Sequence, residues 1–128
     1  MLGIHVLYEV HGCDAAVLNN PRQLRRLMRK AVKAGGCTIC GDRFHQFSPH
    51  GVSGFVVIME SHMAIHTWPE HGYAALDFFS CKLDTDFEAC RQILQKGLGA
   101  TRVEFQVLHR GEGVLRKEGL IASSGAET

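Results

Sequence analysis

Residues 51–81 read GVSGFVVIMESHMAIHTWPEHGYAALDFFSC, and their periodicity decides the fold. VSGFVVIM (52–59) is an apolar run of strand length, and its unbroken end suggests burial on both faces. In HMAIHTW (62–68), Met63 and Ile65 fall on one face and His62, Ala64 and His66 on the other, the alternation of a half-buried strand. Trp68-Pro69 closes that strand, because proline has no N–H for the ladder. Glu-His-Gly then turns the chain into YAALDFFSC (73–81), a further strand. Glu60, Ser61, His62, His66, Trp68 and Glu70 crowd into this segment, more polar chemistry than a sheet needs.

The pattern extends in both directions. IHVLYEV (4–10) is rich in β-formers and makes a first strand. Asn20 is placed to cap a helix that has Pro21 at its first position and runs to about Ala34. Leu24, Leu27, Met28, Ala31 and Val32 form its buried stripe, and Gly35-Gly36 stops it. The basic residues between them, from Arg22 to Lys33, read as a solvated face, since no aromatics are interleaved as nucleic-acid stacking requires. CTICGDRFHQF (37–47) is a strand with a bulge expected at Gly41. DTDFEACRQILQKGLG (84–99) is a second helix that buries Phe87, Cys90, Ile93 and Leu94, with an acidic first turn suited to the macrodipole. TRVEFQVLHR (101–110) is a last strand, and beyond Gly111 periodicity is lost, so 111–128 reads as a mobile tail. The order β-α-β-β-β-β-α-β predicts one α+β domain over 1–110, a two-layer sandwich with two helices on one face of a mostly antiparallel sheet. The other face needs a cover, and a homodimer would supply it.

Composition excludes several classes. Of 128 residues 45% are hydrophobic, enough for a core, and a net charge of +1 gives no electrostatic case for nucleic acid or an anionic membrane. No apolar run is long enough to span a bilayer, and MLGIHVLYEVHGCD does not read as a signal peptide, so a cytoplasmic location is expected. Five scattered cysteines argue against a disulfide scaffold. Cys37 and Cys40 lie on a strand, where positions three apart point to opposite faces, and read as two buried thiols.

Generic catalytic templates fit poorly. A Ser-His-Asp hydrolase wants its serine on a glycine-flanked elbow, which MESHM lacks. A metal on His62, His66 and His45 has no carboxylate or cysteine at a telling spacing, so no metal is expected. Cys81 with a histidine base remains open as a nucleophile. The residues alone lead to an α+β domain that leaves room for a Cys/His site.

The string from Gly51 to Cys81 closely resembles the prokaryotic S-adenosylmethionine decarboxylase proenzymes, whose hallmarks are Glu-Ser-His, IHTWPE, GYAA with an acidic residue, and a Cys ending the next strand. The likeness continues upstream through FHQFSPHGVSG, GGCTICG and HVLYEVHGCD, and covers roughly residues 3–110. It implies the two-layer sandwich reached above, and self-cleavage between Glu60 and Ser61 into a β chain, 1–60, and an α chain, 61–128. By the resemblance the Ser61 hydroxyl attacks the preceding carbonyl, an ester replaces the amide, and β-elimination and hydrolysis leave a pyruvoyl group on the α chain. His66 matches the proton acceptor of this processing. The pyruvoyl ketone then forms a Schiff base with S-adenosylmethionine, carbon dioxide leaves, and Cys81 matches the proton donor to the product carbanion. That product is the aminopropyl donor for spermidine synthesis.

Substrate contacts carry over to Phe47, which matches an aromatic stacked on adenine, and to Ser53, Trp68 and Glu70, which line the site. Glu9 matches a family position without an assigned role. Family members often have Arg for Gln46, Tyr for His71, Gly for Lys82, and an Arg-His pair where Ile4-His5 stands. These departures leave a pyruvoyl-dependent ornithine or arginine decarboxylase as the alternative function, and a non-enzymatic partner subunit as another.

Overall fold

Ser61–Trp68 forms strand β4 of a seven-stranded antiparallel sheet, and its neighbours fix everything that follows. The structure, a computed structural model, describes residues 1–111 and the backbone of 116–124. In chain order the strands are β1 (Gly3–His11), β2 (Ile39–Gln46), β3 (Val52–Ile58), β4, β5 (Tyr73–Ser80), β6 (Arg102–Arg110) and β7 (Arg116–Ser124). Their order across the sheet is β2-β3-β4-β5-β1-β6-β7, and every pairing is antiparallel. The helices are α1 (Ala15–Leu18), α2 (Pro21–Ala34) and α3 (Phe87–Gly97), with a single 3-10 turn at Pro69–His71.

The predicted alternation is the observed one. Met63, Ile65 and Thr67 are buried, while His66 and Trp68 are exposed. The buried side of the sheet, including Val6, Tyr8, Val56, Ile65 and Phe78, joins Leu24, Met28 and Leu94 of the helices in one core. α2 keeps its predicted bounds because Asn20 accepts from Gln23 N–H at 3.1 Å and Pro21 starts the first turn. α3 begins at Phe87, later than expected, because Asp86 accepts from Ala89 N–H at 3.0 Å and so sets the cap. Two of the basic residues of α2 have structural partners. Arg25 and Arg29 both donate to Asp42 of β2, at 2.8 and 2.7 Å, and tie helix to sheet. The bulge expected at Gly41 is a register shift between Ile39 and Gly41. At Gly54 the Phe44 ring lies where a Cβ would stand, so only glycine lets β2 and β3 approach there.

Four further expectations differ from the structure. The strand expected to be buried on both faces, 52–59, alternates instead, with Phe55 and Val57 exposed. Residues 116–124, expected in a tail, form β7 along the outer edge of β6. That strand obtains its ladder from the edge of β6, so weak side-chain periodicity does not prevent it; the rest of the expected tail, 112–115 and 125–128, lies outside the described residues. α1 is a single turn capped by Asp14, too short for a hydrophobic repeat to reveal. Of the CxxC pair only Cys37, which lies just before β2, is buried; Cys40, within β2, is exposed.

Thr67 locks the entry of this layer. Its buried hydroxyl donates to Leu18 C=O at 2.7 Å and accepts from Val52 N–H at 2.8 Å. Thr67→Val should therefore leave a buried donor and acceptor unpaired and destabilise the fold by about 1–3 kcal/mol, read as a lower denaturation midpoint with unchanged slope.

Candidate active site

The chain enters β4 through a clamped peptide. The Glu60 carbonyl accepts from the Cys81 backbone N–H at 2.9 Å, and the Glu60 carboxylate accepts from Thr38 N–H at 3.0 Å. Ser61 follows with φ 150°, a region that glycine favours. Such a backbone costs about 1–3 kcal/mol, and it is held by pairing to Ile58 on one side and Ser80 on the other. The Ser61 hydroxyl lies 3.3 Å from His62 Nδ1. His62 Nε2 is in turn 3.2 Å from Asp77 Oδ2, which also meets His5 Nε2 at 2.9 Å. The hydrogen bond from His5 first, and that from His62 after it, hold the Asp77 carboxyl below the usual carboxylate range despite burial.

A second cluster occupies the far end of β4. Ser53 and His66 are register partners on β3 and β4, with Ser53 Oγ 2.8 Å from His66 Nδ1. With Phe47, Trp68 and Glu70 they line a cavity of about 270 Å³. Glu70 pairs with His50 at 3.0 Å, and its own backbone N–H and then His50 hold its carboxyl below the ordinary range. The expected binding residues Phe47, Ser53, Trp68 and Glu70 thus share one pocket with His66, as four neighbouring segments converge there.

The two clusters do not touch. Ser61 and His66 are five residues apart on an extended strand, which separates them by roughly 16 Å at about 3.3 Å per residue. Cys81 stands with the first cluster, exposed at the end of β5 beside the Glu60–Ser61 peptide. Burial pushes three thiols elsewhere in the chain upward: Cys13 to about 11, Cys90 to about 12, and Cys37 in the same direction. The trio His45, His62 and His66 is not assembled. His62 instead joins His5 and Asp77, and both imidazoles bond directly to the one Oδ2.

His5, Asp77 and His50 escaped the sequence reading as site residues. The alternation in YAALDFFS does put Asp77 on the same sheet face as His62, but cross-strand pairing with β4 and β1 is not visible in one strand's pattern. Glu9 accepts a hydrogen bond from the Tyr73 hydroxyl, which burial and Glu9 push up to about 12. Two of the departures have local structural partners: Gln46 Nε2 donates to Asn19 C=O at 2.8 Å, and Lys82 Nζ to Asp84 at 2.8 Å.

Comparison with known proteins finds relatives of this chain. Residues 4–111 match the family model described as S-adenosylmethionine decarboxylase. A protein of Thermotoga petrophila named S-adenosylmethionine decarboxylase proenzyme is 46% identical over 110 residues, 86% of this chain and 85% of that one. One of the same name from Acetivibrio thermocellus is 48% identical over 96 residues, 74% and 77% of the two chains. The crystal structure of the adenosylmethionine decarboxylase from Aquifex aeolicus superposes with a TM-score of 0.79 at 34% identity, covering 92% of this chain and 96% of that one.

The Asp77 network carries a pH signature. A carboxyl lowered on folding contributes stability that is present above its unfolded value, ordinarily 3.8, and is lost as pH falls through the folded value. Wild type should therefore lose more stability than Asp77→Asn when acidified from neutrality to below that value. Thermal unfolding of both proteins across that range checks the sign, and equal losses would remove the assignment.

Proposed function

We propose a function on one premise: this chain belongs to the S-adenosylmethionine decarboxylase family, and it is a decarboxylase. Its substrate is S-adenosylmethionine, whose decarboxylated form donates aminopropyl groups in polyamine synthesis. The names of the relatives support this reading, and they lend no support to an ornithine or arginine decarboxylase or to a non-enzymatic partner subunit.

The chain first cuts itself between Glu60 and Ser61. The observation that supports this is the clamped peptide: a strained serine, with its carbonyl neighbour already polarised by the Cys81 amide. That N–H is aimed at the oxygen where negative charge develops when Oγ attacks, the arrangement that stabilises an oxyanion. Ser61 thereby fits the role of precursor to a pyruvoyl group, whose ketone supplies the electron sink for decarboxylation. Cys81 is positioned on the same peptide to deliver a proton to the substrate carbon, and its exposure lets solvent recharge it. Phe47 and Trp68 offer faces for the adenine and for the sulfonium charge, and Glu70 offers acceptors for ribose hydroxyls.

A homodimer would join the two clusters. Leu7, Phe55, Val57 and Trp68 are exposed apolar residues on the helix-free face, and together they suit an interface. A two-fold axis crossing β4 near Ala64, midway between the clusters, would set the Ser61 end of one strand over the His66 end of its partner. Packed sheets lie about 10 Å apart, a gap that His66 and Cys81 side chains can bridge. A cavity of about 270 Å³ is small beside the roughly 300–1,000 Å³ of ordinary ligand sites, as half a site would be. No described helix is long and apolar enough to cross a membrane. The unpaired state of all five cysteines supports a reducing, cytoplasmic setting.

Purified protein should run as two fragments, 1–60 and 61–128, and Ser61→Ala as one. Cys81→Ala should mature yet lose decarboxylation of S-adenosylmethionine by about a hundred- to ten-thousand-fold, the usual worth of a general acid. Ser61→Ala and His66→Ala chains, neither of which completes cleavage alone, should regain cleavage of the His66→Ala chain when unfolded and refolded as a mixture, since one of the two shared sites is then whole. Cleavage by His66→Ala alone, or none in the mixture, would argue against completion across the dimer.

A further inference from the structure

Hydrogen-bonding partners around Ser61 define a directed chain. A guanidinium can only donate, so Arg110 Nη1, 3.2 Å from His5 Nδ1, assigns that nitrogen as an acceptor. His5 then carries its proton on Nε2 and donates it to Asp77 Oδ2. His62 faces the same oxygen through Nε2, so it too is protonated there, and the lone pair of its Nδ1 is turned toward the Ser61 hydroxyl at 3.3 Å. The carboxylate fixes both the tautomer and the ring orientation, as the third member of a nucleophile–base–orienter set does. His66, by contrast, is bonded to Ser53 at the other end of β4.

We infer that His62, oriented by Asp77, is the base that takes the Ser61 hydroxyl proton when Oγ attacks the Glu60 carbonyl, a second histidine of self-cleavage distinct from His66. The inference rests on the reading that the chain cuts itself at Glu60–Ser61. The Oγ–carbon bond forms as the proton passes to His62 Nδ1, and Asp77 stabilises the resulting imidazolium. The carbon–nitrogen bond then breaks, and His62 returns the proton to the departing Ser61 nitrogen. The products are an ester between Glu60 and Ser61 and a free Ser61 amine, with no external reactant. Two independent features agree with the assignment. The Cys81 N–H sits on the carbonyl oxygen under attack, and the strained Ser61 backbone is relieved when its peptide bond is lost. His66 is left with the later proton, removed from the Ser61 α-carbon at the elimination.

Hydroxylamine separates the two roles, because it splits an ester and spares an amide. Precursors refolded from denaturant are followed by gel electrophoresis with and without hydroxylamine. His62→Ala should cleave about a hundred- to ten-thousand-fold more slowly, stay intact in hydroxylamine, and be accelerated by free imidazole, which a merely structural role would not allow. Asp77→Asn should slow cleavage less and also resist hydroxylamine. His66→Ala should accumulate a species that hydroxylamine splits. If His62→Ala does not refold, Asp77→Asn decides the matter. Wild-type rates in these variants, or a stalled His62→Ala precursor that hydroxylamine cuts, would overturn the inference while self-cleavage stood. A wild-type chain that never cleaves would instead remove the function on which it rests.

Discussion

One hydrogen bond, from the Cys81 amide to the Glu60 carbonyl at 2.9 Å, organises this molecule. It extends the β4–β5 ladder by one residue and so pins the peptide that precedes β4. Because the donor belongs to Cys81, the same bond sets that exposed residue beside the Glu60–Ser61 peptide. Any register slip of one residue between β4 and β5 would turn Ser61, His62 and Asp77 onto the wrong faces. The register is protected by the alternation that buries Met63, Ile65, Leu76 and Phe78 in the shared core. Hydrophobic burial, not local preference, therefore maintains the strained geometry at Ser61.

β4 carries chemistry at both ends because of how a strand divides its side chains. Met63, Ile65 and Thr67 face the core, and His62, Ala64, His66 and Trp68 face away from the helices. A single sheet cannot bring residues at the two ends of one strand together. The separation between His66 and Ser61 is a consequence of extended backbone, and the small Ala64 between them leaves room for a second sheet to approach. In the proposed dimer the helix-free face would serve two ends at once, as an interface and as the wall of a shared site.

Much of this was legible in the sequence, for identifiable reasons. Alternation in HMAIHTW and the Asn20-Pro21 cap give β4 and α2 their observed bounds, since periodicity and capping are local. β7 was missed because its pairing is furnished by the exposed edge of β6, and α1 because one turn carries no repeat. Within the candidate site, the resemblance supplied Ser61, His66 and Cys81 as residues, but not their arrangement. His5 and Asp77 join His62 only through pairings of β1 and β5 with their neighbours, which are long-range facts. His50 reaches Glu70 across a turn for the same reason.

The central claim is that Ser61 becomes the group that decarboxylates S-adenosylmethionine. The most direct measurement is the intact mass of the fragment beginning at Ser61, taken before and after borohydride reduction in the presence of S-adenosylmethionine. The account predicts a fragment lighter by one ammonia than the sequence from Ser61 to Thr128. After reduction it should gain the mass of the substrate less carbon dioxide and less one oxygen atom, because water leaves as the Schiff base forms and two hydrogens enter on reduction. An active protein whose fragment retains an ordinary serine at its start, or whose reduced fragment gains no substrate mass, would contradict it.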